Sequence, residues 1–148
     1  VPHFRVVNRG ADAYRLGERG RIVGAPIRAG EVIFEGRARI VACSTIPYYG
    51  FGFRAFPYAD ERPDRMSLRI SVIDSFTFVA NFPAIWRGDY DNLEVMYDYL
   101  VDDIDIEVDP ETDFQIGGDP QGKRSKVNVR LSPDPIRLVD FYAPPRAR

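Results

Sequence analysis

Met66-Ser67-Leu68-Arg69-Ile70-Ser71-Val72 decides the fold class of this chain. Met66, Leu68, Ile70 and Val72 alternate with Ser67, Arg69 and Ser71, and a period of two puts the apolar set on one face of an extended backbone. The spacing predicts a half-buried β-strand. Ile104-Asp105-Ile106-Glu107-Val108 repeats the pattern more cleanly, with Asp109-Pro110 as its expected end. Shorter runs at 4–7, 31–34, 38–43, 52–56, 114–116, 126–131 and 136–141 read as further strands. Gly10, Gly17, Gly20, Gly24, Gly30 and Gly36 punctuate the first part at hairpin-like spacing, and Pro133 and Pro135 mark the turn before the last run.

The pattern changes in the middle. Over 75–86 the apolar residues Phe78, Val79, Phe82, Ile85 and Trp86 recur at helical spacing, and Pro83 breaks or kinks that helix. Asp91 is placed to cap a second helix, whose apolar stripe is Leu93, Met96, Tyr97 and Leu100. Both stripes read as core positions rather than a cofactor site. Strands, then two short helices, then strands give a mainly β (α+β) chain: an antiparallel β-sandwich with a two-helix insertion at about 75–101. One domain is expected over 1–142, with 143–148 as a frayed tail.

Composition narrows the function classes. The 148 residues are 45% hydrophobic and 13% aromatic, which suits one packed domain. A formal charge of -2 gives no electrostatic case for binding nucleic acid or an anionic membrane. The single cysteine, Cys43, has no internal disulfide partner and ends the apolar run Ile40-Val41-Ala42, so it reads as a buried thiol rather than a nucleophile. One histidine, His3, supports neither a Ser-His-Asp triad nor a His-rich metal site. No Walker loop or dinucleotide fingerprint occurs. No apolar run has the length of a membrane helix and nothing resembles a signal peptide, so a cytoplasmic location is expected. The chain begins Val1-Pro2-His3 without methionine, as a processed chain or a piece of a longer one would.

Phe114-Gln115-Ile116-Gly117-Gly118-Asp119-Pro120-Gln121-Gly122 carries the strongest candidate chemistry. Gly117 and Gly118 allow positive φ, Pro120 stiffens the exit, and Asp119 then projects from a defined bend where it can act as a general base. The same residues are also ordinary turn formers. A phosphate loop is excluded, because the strand pattern at 126–131 follows where such a loop opens a helix. The cluster Asp60-Glu61-Arg62-Pro63-Asp64 suits either a hard cation such as Mg²⁺ or a solvated loop. The rings of Pro47-Tyr48-Tyr49-Gly50-Phe51-Gly52-Phe53 suit either an apolar ligand cleft or packing between sheets.

Three stretches together resemble the C-terminal half of the diacylglycerol kinase-like lipid kinases, a family that includes the sphingosine kinases. The stretch from Tyr48 to Ala59 is similar to the family's glycine-aromatic strand running into a Pro-x-Ala corner, and Asp64 through Val72 to the acidic turn and strand that follow. Phe114 through Gly122 resembles the loop that usually reads Asp-Gly-Glu, and the matches keep the family's order. The resemblance implies the C-terminal lipid-substrate domain of an ATP-dependent lipid kinase. The family's N-terminal nucleotide-binding domain, with its Gly-Gly-Asp-Gly-Thr loop, is absent from these residues, so the chain alone is expected to be inactive.

Residue by residue, the family's general base falls on Asp119, where Asp stands in place of Glu, and Gly117 replaces the loop's first Asp. Gly117, Gly118, Tyr49 and Phe51 fall on the substrate loop, and the family's structural Mg²⁺ turn falls on Asp64, followed here by Arg65 in place of glycine. The implied partners are a lipid such as diacylglycerol, the nucleotide-binding domain of the same protein, through which alone ATP is bound, and a peripheral membrane surface. Nucleic acid is not among them. The alternative is a non-catalytic β-sandwich module that binds an apolar ligand or a protein partner.

Overall fold

The alternating runs become strands in the computed structural model, which describes residues 1–134 and 136. Among these residues the strands are β1 (His3–Asn8), β2 (Ala13–Leu16), β3 (Ile22–Ile27), β4 (Val32–Arg37), β5 (Ile40–Ser44), β6 (Met66–Ser71), β7 (Met96–Val101), β8 (Asp103–Ile116) and β9 (Asp119–Arg130). One sheet has the order β4-β1-β8-β9 and the other β3-β2-β7-β6-β5, antiparallel throughout. Val6, Ile33 and Ile104 from the first sheet meet Leu68, Ile70, Tyr99 and Val101 from the second in one buried cluster. This is the expected antiparallel sandwich. Each of these side chains, fully buried, contributes about 1.5–3 kcal/mol relative to exposure.

Helices α1 (Ser75–Ala80) and α2 (Phe82–Arg87) connect β6 to β7. Asp74 caps α1 by accepting from the amides of Phe76 and Thr77 at 2.9 and 3.0 Å. The helical run breaks at Asn81, and Pro83 occupies the first turn of α2, where its missing N–H costs nothing. Ile85 of α2 packs with Ile73 and Met96 in a second small cluster, against Phe53, Phe78 and Tyr90.

The structure corrects several expectations. No helix follows Asp91: Met96, Tyr97 and Leu100 lie in β7, between β2 and β6. The ladder from Met66↔Val101 to Ser71↔Met96 satisfies the backbone, and burial of the strand overrides the helical spacing. Asp91 instead accepts from the Arg19 amide and the Tyr58 hydroxyl, each at 3.2 Å. Strand β6 is buried along its whole length rather than on alternate residues, because α2 and the chain around Tyr58 cover the outer face of the second sheet. Arg69 is therefore enclosed and meets the Asp98 carboxylate through two bonds of 2.7 Å. The run at 52–56 forms a tight turn bridged between Gly50 and Phe53, not a strand.

Strands β2 and β3 were not expected. β3 contains Gly24 and Pro26, which argue against a strand but are tolerated because β3 lies at a sheet edge. The runs at 104–108 and 114–116 are parts of one strand, β8, which continues through Asp109-Pro110. The strand expected at 136–141, apart from Ile136 itself, and the tail at 143–148 lie outside the described residues.

Candidate functional site

Strand β8 is longer than the neighbour that supports it. β1 follows it only as far as His3↔Asp109, so the segment from Pro110 to Ile116 is paired with β9 alone. The end of the β8–β9 hairpin thus overhangs the first sheet, while β5 forms the edge of the second. Between them the described residues outline a cleft of about 1080 Å³, walled by Val41, Cys43, Ile106, Val108, Phe114 and Val129. Clefts of about 300–1,000 Å³ hold drug-sized ligands, so the volume suffices for a hydrocarbon chain.

Alternation along β8 builds the apolar wall. Ile104 is buried in the core and Ile106 and Val108 pack against it. The intervening carboxylates face out, where Arg9 meets Asp105 at 2.8 Å and Lys126 meets Glu107 at 3.0 Å. Exposed pairs of this kind are worth about 0–1 kcal/mol each, so the apolar face is the stronger determinant of register.

Ile116 pairs with Asp119, leaving Gly117 and Gly118 as a two-residue turn. Their φ values of 59° and 94° give the type I′ geometry that matches the twist of a hairpin. The expected bend therefore exists as a hairpin turn, with Asp119 as the first residue of β9 and Pro120 on a sheet edge. Gly117, Gly118 and Pro120 line the cleft. Asp119 is exposed, and among the described residues its carboxylate accepts no hydrogen bond, although its carbonyl accepts from Gln121 Nε2 at 3.5 Å. Tyr49, which also lines the cleft, accepts from Gln115 Nε2 at 2.8 Å, and this bond ties the loop after β5 to the hairpin.

The structure brings Tyr49, Gly117 and Gly118 together at the turn end of the cleft, with Asp119 the next residue along. Phe51 lies at the tip of its own turn, outside the cleft lining. Asp64 is elsewhere. Arg62 holds its carboxylate through bonds of 3.0 and 2.8 Å, and Arg65 adds another at 2.9 Å. These guanidinium groups, Arg62 foremost, hold the Asp64 carboxyl below the usual carboxylate range. Arg62 also lies over the Tyr14 ring and Arg65 reaches the Asp12 carbonyl, so the cluster anchors the loop against the start of β2. A divalent cation needs several oxygen ligands, and among the described residues no three His, Cys, Asp or Glu side chains come together to supply them. The donor set at Asp64 does not fit Mg²⁺.

Cys43 also lines the cleft, and burial pushes its thiol up to about 12. It stays protonated at neutral pH and supplies wall rather than nucleophile. Sequence reasoning did not identify Gln115 or the walls from β5 and β9. The paired alternation that places Ile104 opposite Val129 and Ile106 opposite Val127 was the available signal for the β9 wall. No helix among the described residues is long and apolar enough to cross a membrane. Compared with protein-family models, curated proteins and solved structures, the chain matches none.

Proposed function

We propose that this chain is the lipid-binding part of an ATP-dependent lipid kinase of the diacylglycerol kinase-like type. The observation that carries the reading is the apolar cleft of about 1080 Å³, which ends at the Gly117-Gly118 turn immediately before Asp119. A hydrocarbon chain lies between β5 and the hairpin, and the polar head of the lipid emerges at the turn. There the Asp119 carboxylate takes the proton of the lipid hydroxyl as that oxygen attacks the γ-phosphorus of ATP; the bond to ADP breaks, and ADP leaves. ATP supplies the phosphoryl group and is held by a nucleotide-binding domain carrying the Gly-Gly-Asp-Gly-Thr loop, a sequence these residues lack.

The test is ATP-dependent phosphate transfer to diacylglycerol by the protein expressed from its whole reading frame. Asp119→Asn lowers turnover by about 10²–10⁴-fold, the usual contribution of a general base, without changing the circular dichroism spectrum. Wild-type turnover in that variant removes Asp119 from the role of base. No transfer to any lipid hydroxyl sinks the kinase reading.

One observation favours the second reading, a non-catalytic module for an apolar ligand: no described side chain orients the Asp119 carboxylate, whereas catalytic groups are usually held by neighbours. Lipid recovered from the purified protein, with no ATP affinity in the whole gene product, selects the module.

A further inference from the structure

We propose that the cleft selects an amphiphile whose head group is an anion, a carboxylate or a phosphate, and that Arg124 is the side chain that binds it. The proposal rests on reading the cleft as a site for a hydrocarbon chain. It adds the charge of the head group, which apolar walls alone do not specify.

Charge in the cleft runs opposite to that of the chain. The formal charge of the sequence is -2, yet Arg39, Arg124 and Arg130 all line the cleft, and Asp113 is the one carboxylate among the described lining residues. Asp113 is paired with Lys123 in the β8–β9 ladder, so it too has a cation opposite it. Arg130 is paired with Asp103, but Asn128 Nδ2 donates to that carboxylate at 2.8 Å. Among the described residues no carboxylate forms an ion pair with Arg39, Arg124 or Arg130. Cations beside low-dielectric walls focus their field into the cavity, where an anion gains more than it does in open water.

Arg124 is the cation whose head is held in place. Gly122 takes φ 75°, and a Cβ built there would stand 3.6 Å from Arg124 Nη1, so the guanidinium folds back along β9 and lies beside the glycine. Nη1 donates to the Lys123 carbonyl at 2.8 Å, and among the described residues Nε and Nη2 have no partner. That edge of a guanidinium forms two parallel bonds with a carboxylate or phosphate. Arg69 holds Asp98, and Arg62 holds Asp64, by the same edge. Gly122 also lines the cleft and lies three residues from Asp119, about 10 Å along the strand. The anion is therefore bound at the turn end, where the head of the amphiphile emerges. Arg39 and Arg130 stand on fixed backbone, since the Arg39 amide donates to the Ser71 carbonyl at 2.8 Å and the Leu131 amide to the Asp102 carbonyl at 2.7 Å. They strengthen the field, and Arg124 makes the bond.

Titration of the protein at neutral pH with decanol, decanoate and decyl phosphate, each below its micellar concentration, tests this. The three probes share one chain and differ only in the head. The tighter of the two anions binds about tenfold or more tightly than decanol, the effect of one charge-assisted bond, and which anion it is tells a carboxylate ligand from a phosphate one. Raising sodium chloride from about 50 to about 500 mM narrows that preference. Arg124→Gln brings the anions down to the affinity of decanol, and Arg124→Lys restores part of the difference. Equal affinity for all three probes, or a preference that survives Arg124→Gln, overturns the proposal and leaves the cleft reading standing. Anion binding that is unchanged in a folded Cys43→Trp protein, whose indole occupies the cleft from β5, lies elsewhere on the surface and also overturns it. Saturable binding of none of the probes defeats the cleft reading and the selectivity with it.

Discussion

Removing the Asp98 carboxylate tests how the second sheet is held beneath its cover. Arg69 and Asp98 are directly opposed on β6 and β7, joined by two bonds of 2.7 Å, with side-chain exposures of 11% and 9%. Asp98→Ala leaves a guanidinium with no anion in a site that water barely reaches. The expected cost is about 3–5 kcal/mol, a large share of the roughly 5–15 kcal/mol that holds a typical domain together. Arg69→Met strands the carboxylate instead and costs a similar amount. The double variant Arg69→Met/Asp98→Leu removes both charges and keeps apolar volume, so it unfolds near the wild-type midpoint or above it. Urea denaturation at pH 7 reads these differences. With a slope of about 2 kcal/mol per molar, the single variants lose roughly 1.5–2.5 M in midpoint. A loss below about 1 kcal/mol in Asp98→Ala, or a double variant as weak as the sum of the singles, refutes the claim that this pair is enclosed and mutually dependent.

Cys43 provides a chemical probe of the cleft. Burial pushes its thiol up to about 12, so near neutral pH it carries far less thiolate than an ordinary cysteine. Alkylation by iodoacetamide is correspondingly slow and speeds up on adding urea; labelling at the rate of free cysteine contradicts the enclosed wall. Acid sensitivity has a defined sign. The carboxyls of Asp74 and Asp105 are lowered from 3.8, chiefly by hydrogen bonds from Thr77 and Asn128 respectively. The folded state therefore binds fewer protons, and the stability these groups contribute is complete above pH about 5 and lost as pH falls through 3.8 toward the folded values. Melting temperature falls across that window, and Asp105→Asn flattens the fall; a melting temperature that rises on acidification contradicts the assignment. In the hairpin turn, replacing Gly118 (φ 94°) by Val destabilises by about 1–3 kcal/mol through backbone strain alone, since a Cβ there would meet no atom within 4 Å. Thermal denaturation measures it, and an unchanged midpoint contradicts the type I′ turn.

Much of the sandwich was legible because period-two runs survive in the strands that form its core. Met66 to Ser71 and Ile104 to Val108 carry that signal, and each became a strand in the expected place. The signal failed where long-range pairing competes with local spacing. Met96, Tyr97 and Leu100 fit a helical stripe, yet the segment is a central strand whose partners lie about thirty residues away in β6 and about eighty away in β2. Asp109-Pro110 looked like a strand end because proline lacks a donor, but only half of β8 has a neighbour on that side, so the missing N–H is tolerated.

The candidate site divides in the same way. Gly117-Gly118 was readable as a turn from composition, because few other residues accept positive φ twice in succession. The cleft was not readable, since it arises from the unequal lengths of β1 and β8 and from the edge position of β5. The Tyr49–Gln115 bond joins residues 66 apart in sequence, which no local pattern encodes. At Asp64 the acidic run suggested a cation, but Arg62 and Arg65, in that same segment, take the carboxylate themselves.

Isothermal titration of the protein with a short-chain diacylglycerol below its micellar concentration, in the wild type and in Cys43→Trp, tests the central claim most directly. The indole projects into the cleft from its β5 wall and fills the space a hydrocarbon chain would take. The account predicts saturable binding at one site in the wild type and its loss in a Cys43→Trp protein whose circular dichroism is unchanged. Absence of saturable binding in the wild type, or equal binding by folded Cys43→Trp, contradicts the assignment of this cleft to a lipid.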